Sequence, residues 1–172
     1  MIYIFDADGT LFDSSRLSYN SLATAFKARG LRVPMLYEWQ NLQGLCFDDC
    51  MKRLLGNYNY SAIEKDMAEF QIANIHKIQV NEKALEKIRE LDCKIGVVSA
   101  RKRKTLAPML AQLGVKFHAV VYGEKKPSAA GIKRVMKKLD SEHAIYVGDT
   151  RHDAECARLA GVEFVHIKEF EK

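Results

Sequence analysis

Five short apolar runs in the chain have the composition of β-strands. They are rich in β-branched or aromatic residues and end at polar residues or glycine, which is typical of strands buried on both faces of a parallel sheet. The runs are Ile2–Phe5, Ile95–Val98, Ala119–Tyr122, Ala144–Val147 and Phe164–Ile167. Between the later runs, apolar residues recur at i, i+3, i+4 and i+7, in one series from Leu106 and another from Ile132. This alternation over residues 80–172 predicts an α/β fold with a doubly wound, Rossmann-like parallel sheet.

A long helical insertion interrupts this alternation after the first strand. The segment of about 65 residues has helical patterns and no convincing strand, and it is longer than an ordinary crossover. Helices are expected near residues 19–26, 46–55 and 61–78. The sequence therefore predicts a small α-helical cap of residues 14–79, inserted into a catalytic core of residues 1–13 and 80–172.

The composition is that of an ordinary globular protein. Of the 172 residues, 48% are hydrophobic and 28% are charged, which is too apolar for a disordered chain. No run approaches the roughly 18 apolar residues of a membrane helix, and Asp6 follows the first apolar run too soon for a signal peptide. We therefore expect a cytoplasmic protein with no membrane partner. The four cysteines form no CxxC pair and are expected to be reduced, partly buried thiols.

The chain is basic, with a net charge of +5 and a pI of about 9.0. Excess positive charge suits anionic ligands such as phosphates and also nucleic acid. Two basic runs begin at Arg101 and Lys133, and each is also explained as a solvated helix face. Because they lack interleaved aromatic residues and no nucleic-acid motif is present, nucleic acid is not the expected partner.

Reactive side chains follow four of the predicted strands. In chain order they are Asp6 and Asp8, then Ser99, then Lys125 and Lys126, and finally Asp149 and Asp153. In open parallel sheets, ligands bind beyond the carboxyl ends of the strands. We therefore expect these side chains to form one site at one edge of the sheet.

The residue types indicate the chemistry of that site. Several carboxylates in one cleft require a cation, and oxygen-only ligands favour Mg²⁺. The carboxylate of Asp6 can act as a nucleophile, and Asp8, two residues on in an extended segment, points the same way and can reach the leaving group. Ser99 and Lys126 would hold the phosphoryl oxygens. Gly9 would let the backbone approach the phosphate closely.

The order of these residues resembles the haloacid dehalogenase-like (HAD) superfamily. Residues 5–13 (FDADGTLFD) look like its first signature, and Val97-Val98-Ser99 resembles the second. Lys126-Pro127 is similar to the third signature, and residues 147–153 (VGDTRHD) are similar to the fourth. The helical insertion after the first signature is similar to the cap of the phosphoglycolate-phosphatase-like branch. One departure is Val80-Asn81-Glu82, where the family often has a Pro-Gly turn.

The resemblance implies a role for each residue. Asp6 would be the nucleophile and a metal ligand, and Asp8 the general acid and base, with its backbone carbonyl on the metal. The implied catalytic residues are Asp6, Asp8, Ser99 and Lys126, and the metal residues are Asp6, Asp8, Asp149 and Asp153, with Asp153 in a supporting position. The substrate-binding residues would be Gly9, Thr10, Ser99, Ala100, Arg101 and Lys126. For Arg101, a substrate contact and a plain surface position are equally open.

We expect a Mg²⁺-dependent phosphomonoester hydrolase that acts on a small phosphorylated metabolite through an aspartyl-phosphate intermediate. One alternative is a sugar-phosphate mutase or other phosphotransferase, and another is a phosphatase of nucleotides or nucleic-acid ends. Specificity is expected from the cap, where residues 43–45 resemble the position of a specificity loop. Arg16, Lys52 and Arg53 are candidates to reach an anionic substrate. The sequence predicts neither the substrate itself nor the oligomeric state.

Overall fold

A five-stranded parallel sheet forms the centre of the computed structural model, which describes residues 1–42 and 44–172. Along the chain the strands are β1 (Ile2–Phe5), β2 (Phe12–Asp13), β3 (Gln79–Val80), β4 (Ile95–Val98), β5 (Ala119–Val121), β6 (Ala144–Gly148) and β7 (Glu163–His166). The large sheet has the order β5-β4-β1-β6-β7, and every pair in it is parallel. The prediction of an α/β fold with a doubly wound sheet is confirmed.

Helices cover the sheet and form the insertion. They are α1 (Ser15–Lys27), α2 (Leu36–Gln40), α3 (Phe47–Leu55), α4 (Ser61–Ala73), α5 (Glu82–Glu90), α6 (Arg103–Ala111), α7 (Ala130–Leu139), α8 (Arg151–Ala160) and α9 (Ile167–Phe170). A short 3₁₀ turn at Ile75–Lys77 follows α4. The helix expected over residues 61–78 therefore ends five residues early, at Ala73. Residue 43, part of the expected specificity loop, lies outside the described residues.

The side chains of β1 alternate between the two faces of the sheet, as the two-residue period of a strand requires. Ile2 and Ile4 pack with α7 and α8, through Ile132, Val135, Cys156 and Ala157. Phe5 packs on the other face with α5 and α6, through Leu85, Ile88, Leu106 and Met109. Both faces of the sheet are thus covered, which explains why its strands are apolar almost without interruption.

Three expectations about strands were wrong. Tyr122 lies just beyond β5, which ends at Val121. Ile167 does not extend β7 but begins α9, where it is buried in the same cluster as Phe5. The expected strand-free insertion ends in β3, which pairs antiparallel with β2 through Phe12–Val80 and Asp13–Gln79. Two-residue strands carry no periodicity, so the sequence gives no signal for this ribbon. It joins the start and end of the insertion.

The insertion has a hydrophobic core of its own. Helices α1–α4, within residues 15–73, pack around a cluster that contains Leu22, Phe26, Trp39, Met51, Ile63 and Met67. We call residues 15–73 the helical unit. The unit lies over the carboxyl edge of the sheet, where Lys102 forms an ion pair with Glu64, and Lys125 Nζ lies 3.3 Å from Oδ1 of Asp49.

Two further features concern membranes and thiols. Every helix in residues 1–42 and 44–172 is too short or too polar to cross a bilayer. The four cysteines are free thiols, with Cys50 and Cys156 buried and Cys46 and Cys93 half-buried.

Candidate active site

The register of the sheet brings the reactive side chains together. Phe5 lies opposite Val97 of β4 and opposite Val147 of β6, so the three strands end at nearly the same level. Asp6 follows Phe5 directly, and its backbone N–H donates to the carbonyl of Val147 over 2.9 Å. Ser99 and Asp149 follow two residues after the paired valines. Parallel pairing around β1 therefore collects residues that are far apart in the sequence.

A buried lysine joins two of the carboxylates. Nζ of Lys126 lies 2.6 Å from Oδ1 of Asp6 and 2.6 Å from Oδ1 of Asp153. The side chain of Lys126 is 1% exposed, whereas Lys125 is exposed. Burial alone would lower the pKa of Lys126, but Asp6, Tyr146 and Asp153 raise it well above its ordinary value. Lys126 is thus held as a cation in the floor of the site.

The carboxylate of Asp153 accepts hydrogen bonds at both oxygens. Its Oδ1 accepts from Lys126 and, over 3.2 Å, from the hydroxyl of Tyr146. Its Oδ2 accepts from the backbone N–H of Thr150 over 3.1 Å and from the Thr150 hydroxyl over 2.6 Å. The pair Thr150 and Asp153 also forms the capping box of α8. Asp153 therefore caps a helix and at the same time orients Lys126.

Asp149 lies directly against the first loop. A Cβ atom on Gly9, whose φ is +80°, would lie 2.1 Å from Oδ2 of Asp149. The close neighbour of Gly9 is thus a carboxylate of this chain, a contact that the sequence did not indicate. The hydroxyl of Thr10 donates to Oδ1 of Asp149 over 3.5 Å. Burial, and then the nearby Asp153, raises the pKa of Asp149 to about 6.

Three of the predicted metal residues form an oxygen cluster. One carboxylate oxygen from each of Asp6, Asp149 and Asp153 lies within 4.8 Å of the others. Oxygens on opposite sides of a Mg²⁺ ion are ~4.2 Å apart, so the cluster is of the right size and chemistry for a hard divalent cation. Burial, followed by Asp153 and Asp8, raises the pKa of Asp6 well above its ordinary value, although Lys126 opposes this. The site thus has an excess of negative charge.

The side chain of Asp8 points away from that cluster. Its Oδ1 lies 2.6 Å from Nη2 of Arg101, and Nε of Arg101 donates to Oδ1 and Oδ2 over 3.2 and 3.1 Å. The hydroxyl of Ser14 donates to the same Oδ1. Burial alone would raise the pKa of Asp8, but Arg101 and Ser14 lower it. Of the four predicted metal residues, Asp8 is the one whose side chain lies outside the described oxygen cluster.

Arg101 also connects this site with the helical unit. Its Nη1 donates to Oε1 of Gln71 on α4. Nε2 of Gln71 in turn donates to the hydroxyl of Ser21 on α1 over 2.8 Å, and that hydroxyl donates to the carbonyl of Ser18 over 2.7 Å. A chain of hydrogen bonds therefore runs from Asp8 into the helical unit.

Ser99 lies in the floor of the site, beside the ion pair of Asp8 and Arg101. The residue is 1% exposed, and its hydroxyl accepts the backbone N–H of Arg101 over 3.1 Å. Its carbonyl accepts the N–H of Glu124 over 2.9 Å, which holds the loop after β4 against the loop after β5. Ala100 is half-buried and lines the same space. Ser99 and Ala100 therefore lie near the carboxylates, on the side of β1 opposite Asp149.

A cavity of about 400 Å³ lies between this floor and the helical unit. Its floor includes Asp6, Asp8, Ser99, Arg101, Lys126 and Asp149. Its opposite wall includes Trp39, Leu42, Leu45, Phe47, Cys50 and Met67 of the helical unit. Arg16, Lys52 and Arg53 are exposed and do not line this cavity.

Several residues of the site were not predicted. Gln71 takes a core-facing position on α4, where the expected apolar face was Ile63, Met67 and Phe70; the buried residues of α4 are instead Ile63, Met67 and Gln71. Gln71 lies four positions after Met67 and so shares its helix face, which could have indicated from the sequence that this polar residue is buried. Ser14, Thr150 and Tyr146 also contact site carboxylates. A tyrosine inside an apolar strand gives no signal for its hydroxyl partner.

The sequence is similar to hydrolases over nearly its whole length. The profile of the haloacid dehalogenase-like hydrolases matches residues 3–167. A phosphoglycolate phosphatase from Rhodobacter capsulatus is 25% identical over 178 residues, which covers 94% of this chain and 81% of the relative. Pyrophosphatase PpaX from Oceanobacillus iheyensis is 26% identical over 180 residues, which covers 93% of this chain and 79% of the relative.

Solved structures share the fold. A hydrolase from Pseudomonas syringae superposes with a TM-score of 0.83 at 20% identity, covering 95% of this chain and 83% of that chain. CbbY from Rhodobacter sphaeroides, solved in complex with phosphate, superposes with a TM-score of 0.81 at 18% identity, covering 96% of this chain and 84% of that chain.

Proposed function

The chain belongs to the haloacid dehalogenase-like hydrolase family and is a phosphatase, and we propose that it hydrolyses phosphate monoesters through an aspartyl phosphate on Asp6. Its substrate would be a small phosphorylated metabolite of the cytoplasm. The observation that carries this proposal is the convergence of Asp6, Asp149 and Asp153 within 4.8 Å around buried Lys126. Burying several carboxylates together is unfavourable unless a cation compensates their charge. Clusters of titratable groups with shifted pKa values are also typical of catalytic sites.

In the first step, a carboxylate oxygen of Asp6 attacks the phosphorus atom of the ester. A bond forms between Asp6 and phosphorus, and the bond from phosphorus to the alcohol oxygen breaks. The leaving oxygen takes a proton from Asp8. Although Arg101 lowers the pKa of Asp8 here, the negative charge of an incoming phosphate raises it, which suits a proton donor.

In the second step, water attacks the phosphorus of the aspartyl phosphate. Asp8, now ionised, accepts a proton from that water, phosphate leaves, and the Asp6 carboxylate is restored. Lys126 lies 2.6 Å from Asp6 and would neutralise the oxygens around the reacting phosphorus. The Ser99 hydroxyl and the loop backbone at Ala100 would bind the remaining phosphoryl oxygens. The N–H groups of Gly9 and Thr10, expected from the sequence to contribute, instead donate to the carbonyls of Phe12 and Ala7.

The carboxylates fit a divalent cation. Four carboxylates, those of Asp6, Asp8, Asp149 and Asp153, face two cations, Lys126 and Arg101, which leaves two negative charges. We propose that Asp6 and Asp149 hold Mg²⁺ directly, with the Asp8 carbonyl, and that Asp153 supports them from behind. When bound, Mg²⁺ would supply charge neutralisation and polarisation of the phosphoryl oxygens.

We further propose that the insertion of residues 14–79 acts as a cap on a core of residues 1–13 and 80–172. The two ends of the insertion pack against the core through Leu17, Ile75 and Ile78. Around the cavity, its polar contacts to the core include Ser14 with Asp8, Gln71 with Arg101, Glu64 with Lys102, and Asp49 with Lys125. A cap held by such contacts can open for substrate entry and close to exclude water.

Phosphate release from p-nitrophenyl phosphate tests the proposal. We expect turnover with Mg²⁺, loss with EDTA and recovery with added Mg²⁺. Asp6→Asn should lower kcat by about 10³-fold or more. Asp92→Asn, in the exposed loop that precedes β4 at the opposite end of the strand from the site, should behave like the wild type and serves as the matched control. Metal-independent activity that survives Asp6→Asn would contradict the mechanism.

A further inference from the structure

The wall that the helical unit contributes to the cavity has an apolar part, which lies beside polar lining residues such as Ser18, Ser61 and Gln71. Leu45 and Phe47 are half-buried there, in front of buried Trp39, Leu42 and Met67. Phe47 is fixed by an edge-on contact with Tyr60, at 5.8 Å between ring centroids. The indole N–H of Trp39 is buried and has no acceptor among the described residues. This part of the wall is therefore a preformed surface of aromatic and aliphatic groups.

Three of the five lysines and arginines that line the cavity are in close ion pairs. Lys126 is shared between Asp6 and Asp153, Arg101 is bound to Asp8 and Gln71, and Lys102 is bound to Glu64. The other two, Lys65 and Lys104, are exposed, so no buried cation among the described lining residues is left over for a second anionic group near the apolar wall.

At the rim of the cavity, Lys65 and Lys104 are exposed. Among the described residues of the helical unit, the charged residues that line the cavity are Glu64 and Lys65. Glu64 is already paired with Lys102, and the charge of an exposed lysine in the rim is screened by water and salt.

We infer that the site selects phosphate monoesters whose organic part is uncharged and largely apolar, such as an aryl or branched alkyl group. The phosphoryl group would lie on the floor and the organic part against the wall of Leu45 and Phe47. A short second carboxylate, as in phosphoglycolate, would be buried against apolar groups without a partner, which is costly. The cavity of about 400 Å³ has room for a six-membered ring, since it lies in the usual range of ligand pockets. This inference rests on the proposed phosphatase function.

Hydrolysis of two matched esters tests the inference. Benzyl phosphate and phosphoglycolate both have an alcohol leaving group, but only the second has a carboxylate beside it. We expect kcat/KM to be at least about 10-fold higher for benzyl phosphate. Leu45→Ala should lower that ratio by about 10-fold. Leu36→Ala removes the same groups from an exposed site outside the cavity and should leave the ratio unchanged. A higher kcat/KM for phosphoglycolate than for benzyl phosphate would overturn the inference. So would the same ratio of the two kcat/KM values in Leu45→Ala and Leu36→Ala.

Binding gives a readout that does not depend on turnover. Trp39 is the only tryptophan of the chain, so its emission reports on ligands at the wall. We expect phenethylphosphonate to change this emission and to bind at least about 10-fold more tightly than phosphonopropionate. The reverse order would overturn the inference while leaving the phosphatase function intact. Failure of the proposed function looks different: neither ester, nor p-nitrophenyl phosphate, releases phosphate, and the inference is then overturned with it.

Discussion

Nη2 of Arg101 lies 2.6 Å from Oδ1 of Asp8, while Nη1 of the same guanidinium donates to Gln71 on α4. One planar group thus contacts the proposed general acid and the helical unit at once. Only a fork of several fixed donors can make both contacts. The position of the helical unit is thereby linked to the orientation of Asp8.

Arg101→Lys tests this link. A lysine keeps the charge but cannot bind Asp8 at both oxygens and reach Gln71 as well, so we expect kcat/KM to fall by about 10-fold or more. Arg103→Lys is the matched control, because Arg103 is exposed and lies over the ring of Tyr122, 5.9 Å from its centroid, rather than in the site. Equal activity of the two variants would show that the fork of Arg101 has no role.

Gly9→Ala tests the contact between the first loop and Asp149. Gly9 has φ of +80°, and an added Cβ would lie 2.1 Å from the Asp149 carboxylate. We expect activity to fall about 100-fold, because Asp149 must move. Gly30→Ala is the control, since Gly30 has φ of +63° but no atom within 4 Å. Both variants should lose roughly 1–2 kcal/mol of stability from the left-handed backbone, as measured by denaturant unfolding. Full activity of Gly9→Ala would refute the contact.

Metal affinity should depend on pH through Asp149. Burial, and then Asp153, raises its pKa to about 6, and a carboxylate must be ionised to bind a metal. We expect the Kd for Mg²⁺ to weaken by about tenfold or more per pH unit below 6 and to change less steeply with pH above it. Calorimetric titrations at several pH values measure this. A Kd that is constant across pH 6 would contradict the assignment of Asp149 as a ligand.

The stability of the metal-free protein should show the opposite trend. Because the pKa of Asp149 is raised on folding, the folded state binds the proton more tightly than the unfolded state does. This residue therefore lowers the free energy of unfolding as pH rises from 3.8 to about 6. Saturating Mg²⁺ should remove that loss. Asp149→Asn should flatten the profile over the same range in thermal unfolding, and an unchanged profile would contradict the shift.

Tyr146→Phe tests the support of Asp153. The change removes the hydroxyl that lies 3.2 Å from Oδ1 of Asp153, and we expect a loss of about 1 kcal/mol of stability. Tyr3→Phe is the control, because no described residue binds the hydroxyl of half-buried Tyr3. Thermal unfolding should show a lower Tm for Tyr146→Phe than for Tyr3→Phe. The same Tm in both would mean that the Tyr146 hydroxyl does not stabilise the fold.

The sheet could be predicted because burial on both faces leaves a strong mark on a strand. Strands β1 and β4 have the expected bounds, and parallel pairing then fixes which residues meet at the carboxyl edge. The ribbon of β2 and β3 could not be predicted, because pairs such as Phe12 and Val80 form strands too short to have a period. Ile167 was wrongly assigned to a strand because a buried apolar residue is equally compatible with the end of a strand and with the first turn of a buried helix.

The floor of the site could be located from the sequence, but the wall could not. Asp6, Ser99 and Asp149 follow strands, so their positions derive from the sheet. Gln71 and Trp39 lie on helices whose rotation depends on packing within the unit. The five-residue helix that carries Trp39 is also too short to show periodicity. The roles assigned to the site residues and the bounds of the cap stay predictions.

Trapping the phosphoenzyme tests the central claim most directly. The protein is mixed with a phosphate monoester and Mg²⁺, quenched within a turnover and treated with borohydride, which reduces an acyl phosphate to an alcohol. Peptide mapping by mass spectrometry should then find homoserine in place of Asp6 and an unchanged Asp8. Turnover with no modification at Asp6, or modification at another residue, would contradict the account.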